Sequence, residues 1–222
     1  MTLDPLVNGP DITPTTRDRI LNAAERLFAR RGFDGVTIRQ ITREAGVDVA
    51  LASYYFGPKT DLFRAVLQRR ADELHGAILA SIESAVAQSG DRPPGVETLI
   101  RAFTQPSIDR LVRGGQGWRD YIHMMAGLYS SQQSEFLVEM NDMYAPALRR
   151  VMDLIRLSIP TASERSIILS FYMLLTAVIS IYSETAGLER LSNGTIHPTD
   201  FDAILDHLAP FFAAGFHRMA SV

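Results

Sequence analysis

The chain has 222 residues, 46% hydrophobic and 21% charged, which leaves room for a small domain beside a larger one with a real core and excludes disordered and fibrous classes. It contains no cysteine, so disulfides, thiolate catalysis and cysteine-ligated zinc are excluded. The net charge of −3 argues against a chain that coats nucleic acid throughout, although residues 13–64 carry nine basic against six acidic side chains and residues 65–222 thirteen against seventeen.

The opening MTLDPLVNGPDITP has early Asp and Pro, no basic start and no apolar run, so residues 1–14 read as a flexible tail and neither as a signal peptide nor as an anchor. Thr15 and Asp18 form a capping box for a first helix whose Ile20, Ala24, Leu27 and Phe28 share one apolar stripe. Arg19, Arg26 and Arg30 lie on another side and read as a solvated face, with phosphate contact as the competing role. Gly32 closes the helix, and Phe33 and Val36 are expected to pack under the next pair of helices, completing a three-helix core.

Residues 37–59, TIRQITREAGVDVALASYYFGPK, are the most informative stretch. Thr37 with Gln40 makes a second capping box, Ile38, Ile41 and Ala45 share a face, Gly46 supplies a left-handed stop, and Asp48 caps another short helix running through Tyr55. Two short helices about a glycine turn are a helix-turn-helix, the arrangement that places a second helix in a DNA groove. Val49, Ala52 and Phe56 cluster inward, while Ala50, Leu51, Ser53 and Tyr54 look outward. An ordinary helical hairpin, its outer residues against another helix, is the alternative reading of spacing alone. Lys59 begins the next helix, where a cation opposes the macrodipole and needs a further reason to be there.

The flanks add to this pattern. Residues 17–63, with GFDGVTIRQIT, EAGV and YYFGPKTDLF in that order, resemble the DNA-binding domain of the TetR/AcrR family of bacterial transcription regulators. The resemblance implies that Arg39 reads a base edge, that Leu51 and Tyr54 meet thymine methyls, and that Thr37, Tyr55 and Lys59 hold phosphates, with Gln40, Val49 and Ser53 on the same DNA-binding face. One departure is visible: members usually carry Tyr where this chain has Ser53 and often His where it has Tyr55.

From Lys59 a long helix is expected through Leu62, Val66, Leu67, Leu74 and Ile78 toward Gln88, joining a DNA-binding domain over residues 15–75 to an effector-binding and dimerisation domain over 76–222. After the loop SGDRPPG come helices with stripes through Val96 to Leu111, through Trp118 to Tyr129, and through Leu137 to Ile155 with a kink at Pro146. Thr161 and Glu164 suggest another capping box before IILSFYMLLTAVISIY, a run of sixteen residues, short of the ~18–20 of a membrane span. It reads as a buried helix, apolar on two adjacent faces, one for its own core and one for a second subunit. A last helix carries Phe211, Phe212 and Phe216 beside Ala213, Ala214 and Gly215, so the helices around 161–187 and 199–219 would build a four-helix homodimer bundle, as the last two helices do in the resembled family.

No strand-like alternation, G-x-S-x-G, H-E-x-x-H or phosphate-binding loop occurs, and the five histidines lack i,i+3 or i,i+4 pairing, so neither a catalytic residue nor a metal or cofactor is expected. Six of the eight methionines fall between Met124 and Met173 among aromatic residues, which fits either an irregular core or an adaptable apolar cavity. RPPGVETLIRAFTQPSIDRLVRGGQGW and YAPALRRVM look like the ligand-binding part of a TetR-family branch that includes regulators of fatty-acid metabolism. The expected ligand-binding residues are Phe103, Trp118, Tyr121, Met125, Met140, Tyr144 and Tyr172, with an acid group of the ligand met by Arg113 or Arg119. The reading is an all-α, cytoplasmic, homodimeric repressor, without enzyme activity or membrane attachment, that binds double-stranded DNA at a palindromic operator and is released by a small, largely apolar effector. A helical carrier protein with a purely structural helix-turn-helix is the alternative.

Overall fold

In the computed structural model, described over residues 14–130, 134–183 and 186–220, the chain is all α-helical among the described residues. The helices are α1 (Thr16–Arg31), α2 (Ile38–Ala45), α3 (Val49–Phe56), α4 (Lys59–Gln88), α5 (Val96–Arg113), α6 (Gln116–Ser130), α7 (Ser134–Ser158), α8 (Glu164–Tyr182), α9 (Gly187–Leu191) and α10 (Phe201–Met219).

Local signals decide the first three. The Thr15 hydroxyl oxygen accepts from the Asp18 amide at 3.1 Å, and Gly32, at φ 66°, ends α1. At α2 the Thr37 hydroxyl takes the Gln40 amide at 3.3 Å while the Thr37 amide donates to the Gln40 side chain at 2.8 Å, so both halves of the box are made. Gly46 turns the chain at φ 63°, ψ 43°, where a side chain would be strained, and the Asp48 carboxylate accepts from the Ala50 amide at 2.7 Å to start α3. Ile20, Ala24, Leu27 and Phe28 are all buried, against Val36, Ile41, Ala52, Leu62 and Phe63.

Two arginines of the solvated face also act as struts while staying accessible to water. Arg19 donates to the Ala45 carbonyl at 2.7 Å and to the Gly46 carbonyl at 2.6 Å, satisfying the end of α2, and Arg26 pairs with Glu44 at 2.8 Å. Helix α1 thereby grips α2 by its carbonyl end. Lys59 behaves alike, for its ammonium donates to the carbonyls of Phe33 and Val36 at 2.9 and 3.0 Å and lies 4.0 Å from the centre of the Phe33 ring.

Helix α4 runs unbroken through position 75 and carries the amino-terminal module into the larger one. Two seams fasten the modules. In the first, Phe33 packs away from the helix-turn-helix and joins Phe28, Phe63 and Phe136 of α7 in one aromatic cluster, with Phe63 and Phe136 centroids 4.7 Å apart and Phe33 and Phe136 5.0 Å apart. Arg64 adds a bond to Glu139 at 2.9 Å. In the second, Glu25 of α1, 2% exposed, takes Arg70 of α4 at 3.1 Å and Arg69 at 3.5 Å beside the buried Asp120 of α6. Burial, working against those two guanidinium groups, raises the Glu25 carboxyl above its usual range.

In the larger module α5 lies between α4 and α10, with α6, α7 and α8 closing around it. Helix α8 departs from expectation twice. Its cap is Ser163, which accepts the Ser166 amide at 3.1 Å, in place of Thr161 with Glu164, because Glu164 is drawn off to Arg156 at 2.8 Å. It is also 19 residues long, long and apolar enough to cross a membrane by length and composition, and only 28% of its most apolar stretch is buried. Ile167, Phe171, Leu174 and Val178 face the core, but Ile168, Leu169, Tyr172 and Met173 are exposed, as is Phe211 on α10. Of the two apolar faces read from the run, one is thus buried in the core and the other, read as facing a second subunit, is exposed in the single chain. The helix ends at Tyr182, short of residue 187, and the short α9 begins at Gly187.

Candidate nucleic-acid interface and cavity

Helix α3 turns Ala52 inward with the half-buried Phe56, which leaves Leu51, Ser53, Tyr54 and Tyr55 exposed, Tyr54 at 82%. Val49, placed inward by helical spacing, is exposed at the edge of the same face, since α3 is only two turns long and its first residue has little of α1 or α4 above it. Arg39 on α2 points to solvent without hydrogen bond or ion pair from its guanidinium among the described residues. Leu51, Ser53, Tyr54, Tyr55, Val49 and Arg39 are thus all exposed on α2 and α3. The structure gives other work to three more of the expected residues. The hydroxyl of Thr37 and the side-chain oxygen of Gln40 are engaged in the cap of α2, and the Lys59 ammonium holds the α1–α2 connection.

A cavity of about 80 Å³ lies among α4, α5, α6, α7 and α8. Of the seven residues expected there, Phe103, Met125, Met140 and Tyr144 line it. Three do not. Trp118 is clasped between Arg70 and Arg110, whose guanidinium carbons sit 5.0 and 4.7 Å from its ring, at the second seam. Tyr121 is buried behind the wall, donating to the Leu67 carbonyl at 2.9 Å and lying 3.3 Å from the Tyr144 hydroxyl. Tyr172 is 68% exposed on the outer face of α8. In its place Tyr182, with Ser107, Tyr129, Leu175 and Ile179, completes the lining. Sequence periodicity grouped Tyr172 and Tyr182 in one stripe, and the stripe exists; its first half faces solvent and its second half faces the cavity. Burial raises the phenol of Tyr144 to about 12 and pushes those of Tyr129 and Tyr182 up, so all three stay protonated donors.

Arg113 is exposed and paired with Asp109 at 3.3 Å, and Arg119 donates to the Leu111 carbonyl at 3.4 Å; neither lines the cavity, because the turn after α5 aims them away. His123 lines a different space, about 180 Å³ between α6 and the α1–α2 connection, with Phe28, Phe33 and Asp34. Among the described residues no three His, Asp or Glu side chains are placed to hold a metal ion.

A capped helix-turn-helix with an exposed second helix, carried by a long helix into a larger helical module, defines the class of helix-turn-helix DNA-binding regulators. Comparison with known proteins agrees. Residues 20–66 match the model of bacterial regulatory proteins of the tetR family, and residues 101–215 match the tetracyclin repressor-like carboxy-terminal domain. The chain belongs to the TetR family of transcriptional regulators.

Among curated proteins it is similar to the HTH-type transcriptional regulator BetI of Brucella canis, 39% identical over 75 residues, 34% of this chain and 38% of that protein. It is also similar to the HTH-type transcriptional regulator HbdR of an Aromatoleum species, 36% identical over 78 residues, 35% of this chain and 34% of that protein. These matches span little more than a third of the relatives' lengths. Among solved structures, the fatty acid degradation regulator FadR from Bacillus halodurans aligns with a TM-score of 0.64 at 14% identity over 95% of this chain and 98% of its own. A TetR-like regulator from Rhodococcus sp. RHA1 aligns with 0.63 at 18% over 91% and 98%. Identities this low establish the shared fold alone.

Proposed function

We propose that the chain is a homodimeric repressor that binds a palindromic operator and leaves it when a small, largely apolar effector enters the α4–α8 cavity. The observation that carries the DNA-reading face is the exposure of Arg39, Leu51, Tyr54 and Tyr55, which no described residue covers. A bare arginine suits a bidentate contact to guanine, and the tyrosines and Leu51 suit thymine methyls and sugar edges. Val49 and Ser53 flank that contact. Thr37 and Gln40 contribute by capping α2 and Lys59 by holding the α1–α2 connection, and phosphate contact is the role proposed for Thr37 and Lys59 beside these bonds.

The reading of dimerisation rests on Ile168, Leu169, Tyr172, Met173 and Phe211, five large apolar side chains exposed together on α8 and α10. Exposed patches of this kind mark interfaces. Ala214 and Gly215 are exposed on α10, so a mate's helix can approach closely. The functional division falls near residue 75, inside α4, and a chain of this kind works in the cytoplasm with no membrane attachment. Selection of fragments from random duplex DNA by the purified protein tests the reading. Enrichment of a palindrome with half-sites about 34–36 Å apart, or a multiple, is expected for one α3 per subunit on the same side of the duplex. Enrichment of no palindrome would overturn it.

A further inference from the structure

We propose that the effector which fills the α4–α8 cavity is an uncharged molecule carrying a hydroxyl or carbonyl on an apolar body, and that this chain discriminates against carboxylates and ammonium groups. The inference rests on the effector reading and narrows it. No Asp, Glu, Lys, Arg or His lines the cavity among the described residues. A bare carboxylate there would lose its water without gaining a counter-charge, a penalty that ordinarily forces the group to neutralise or stay outside.

What the wall does offer is hydroxyl chemistry. Ser107 and the phenols of Tyr129, Tyr144 and Tyr182 are its polar groups, and burial keeps the phenols protonated. Each already has a partner: Tyr129 donates to Asn141 at 3.0 Å, Tyr182 is bonded to Ser107 and lies 3.5 Å from the Thr104 carbonyl, and the Tyr144 hydroxyl lies 3.3 Å from that of Tyr121. A ligand oxygen among them would meet donors and acceptors together. About 80 Å³ holds little more than two waters, so a ligand must widen the space. Met125 and Met140 in the wall have the torsional freedom to allow it.

Behind this wall stand two basic side chains that face Tyr144. Arg110 is held by Trp118, by Glu73 at 3.2 Å and by the Pro106 carbonyl at 3.1 Å, though its Nε is buried without an acceptor. The His75 ring stands edge-on to Tyr144 with Nε2 likewise buried without a partner. Either is where an anion would be met if the inference were wrong, which makes both useful in the test.

Titration calorimetry on the full-length protein with phenol, 1-naphthol, benzoate, 1-naphthoate, benzylammonium and toluene separates the cases. The expected result is binding of phenol or 1-naphthol at least a hundredfold tighter than the matched carboxylate at pH 7.5, about 2.7 kcal/mol, with benzylammonium excluded as well. The near-isosteric Tyr144→Phe and the Ser107→Ala variants should each cut the preference for phenol over toluene severalfold. A carboxylate that binds as well as the phenol, and loses affinity in Arg110→Gln or His75→Phe, would overturn the inference while leaving the effector reading intact. Binding of phenol that neither Tyr144→Phe nor Ser107→Ala alters would place it outside this cavity and overturn the inference too. Absence of binding by every probe would overturn both.

Discussion

Replacing Lys59 with Met distinguishes a phosphate contact from a structural strut. Methionine keeps most of the apolar stem and removes the ammonium. What is lost is two charge-assisted hydrogen bonds, to the Phe33 and Val36 carbonyls at 2.9 and 3.0 Å, and a cation 4.0 Å above the Phe33 ring. Bonds of this kind contribute about 1.5–3 kcal/mol each and an exposed cation–π contact about 0.5–1. Lys59 is half-buried, so water recovers part of the loss and the net destabilisation is about 2–4 kcal/mol. For a chain of this size that lowers the melting temperature by roughly 4–16 °C. Urea unfolding followed by circular dichroism reads it directly, alongside operator binding at several salt concentrations. A variant that unfolds at the wild-type urea midpoint, while its salt slope drops by roughly 0.9 for one phosphate, would refute the strut and restore the phosphate.

Arg39→Ala provides the contrast: its guanidinium bonds to nothing among the described residues, so the urea midpoint should not move, while affinity for the selected operator falls by about 1–3 kcal/mol with relaxed preference at one base pair, as seen by competition gel shift. Phe211→Asp, at a side chain 73% exposed in the single chain, should leave helicity intact and convert the dimer to monomer in sedimentation at micromolar concentration; a persistent dimer would move the interface elsewhere. For Glu25, whose folded carboxyl is raised, folding favours the protonated form. Its contribution is complete below the ordinary value of 4.5 and is lost as pH rises through the folded value, so wild-type stability relative to Glu25→Gln should decline between pH 4 and pH 8, measured as the difference in urea midpoint.

Features decided by neighbours in sequence were legible from it. Thr37 with Gln40, Gly46 and Asp48 interact within a turn of themselves, and the long α4 could be followed from Lys59 to Gln88 by periodicity alone. Features decided by what lies opposite were not. Arg19 and Lys59 each find an acceptor 26 residues away, at carbonyls that no pattern of side chains announces. The Trp118 ring belongs to a stripe that reads as cavity lining, yet the arginines that clasp it come from α4 and α5. Tyr172 and Tyr182 share a stripe on α8, and only the three-dimensional path of that helix separates the solvent-facing residue from the cavity residue. Four of seven cavity residues survive because α5, α6 and α7 each turn a steady face inward.

The two seams bear on how such a protein can be recombined. A chimera that grafts residues 15–75 onto another helical regulator would carry Phe28, Phe33 and Phe63 but leave Phe136 behind, and would carry Arg64 and Arg70 without Glu139 and Trp118. Every aromatic and ionic partner on the far side would then belong to a stranger. The exchangeable part of this molecule is consequently smaller and less contiguous than a cut at one position: the reading head travels intact only when the first turns of α6 and α7 travel with it.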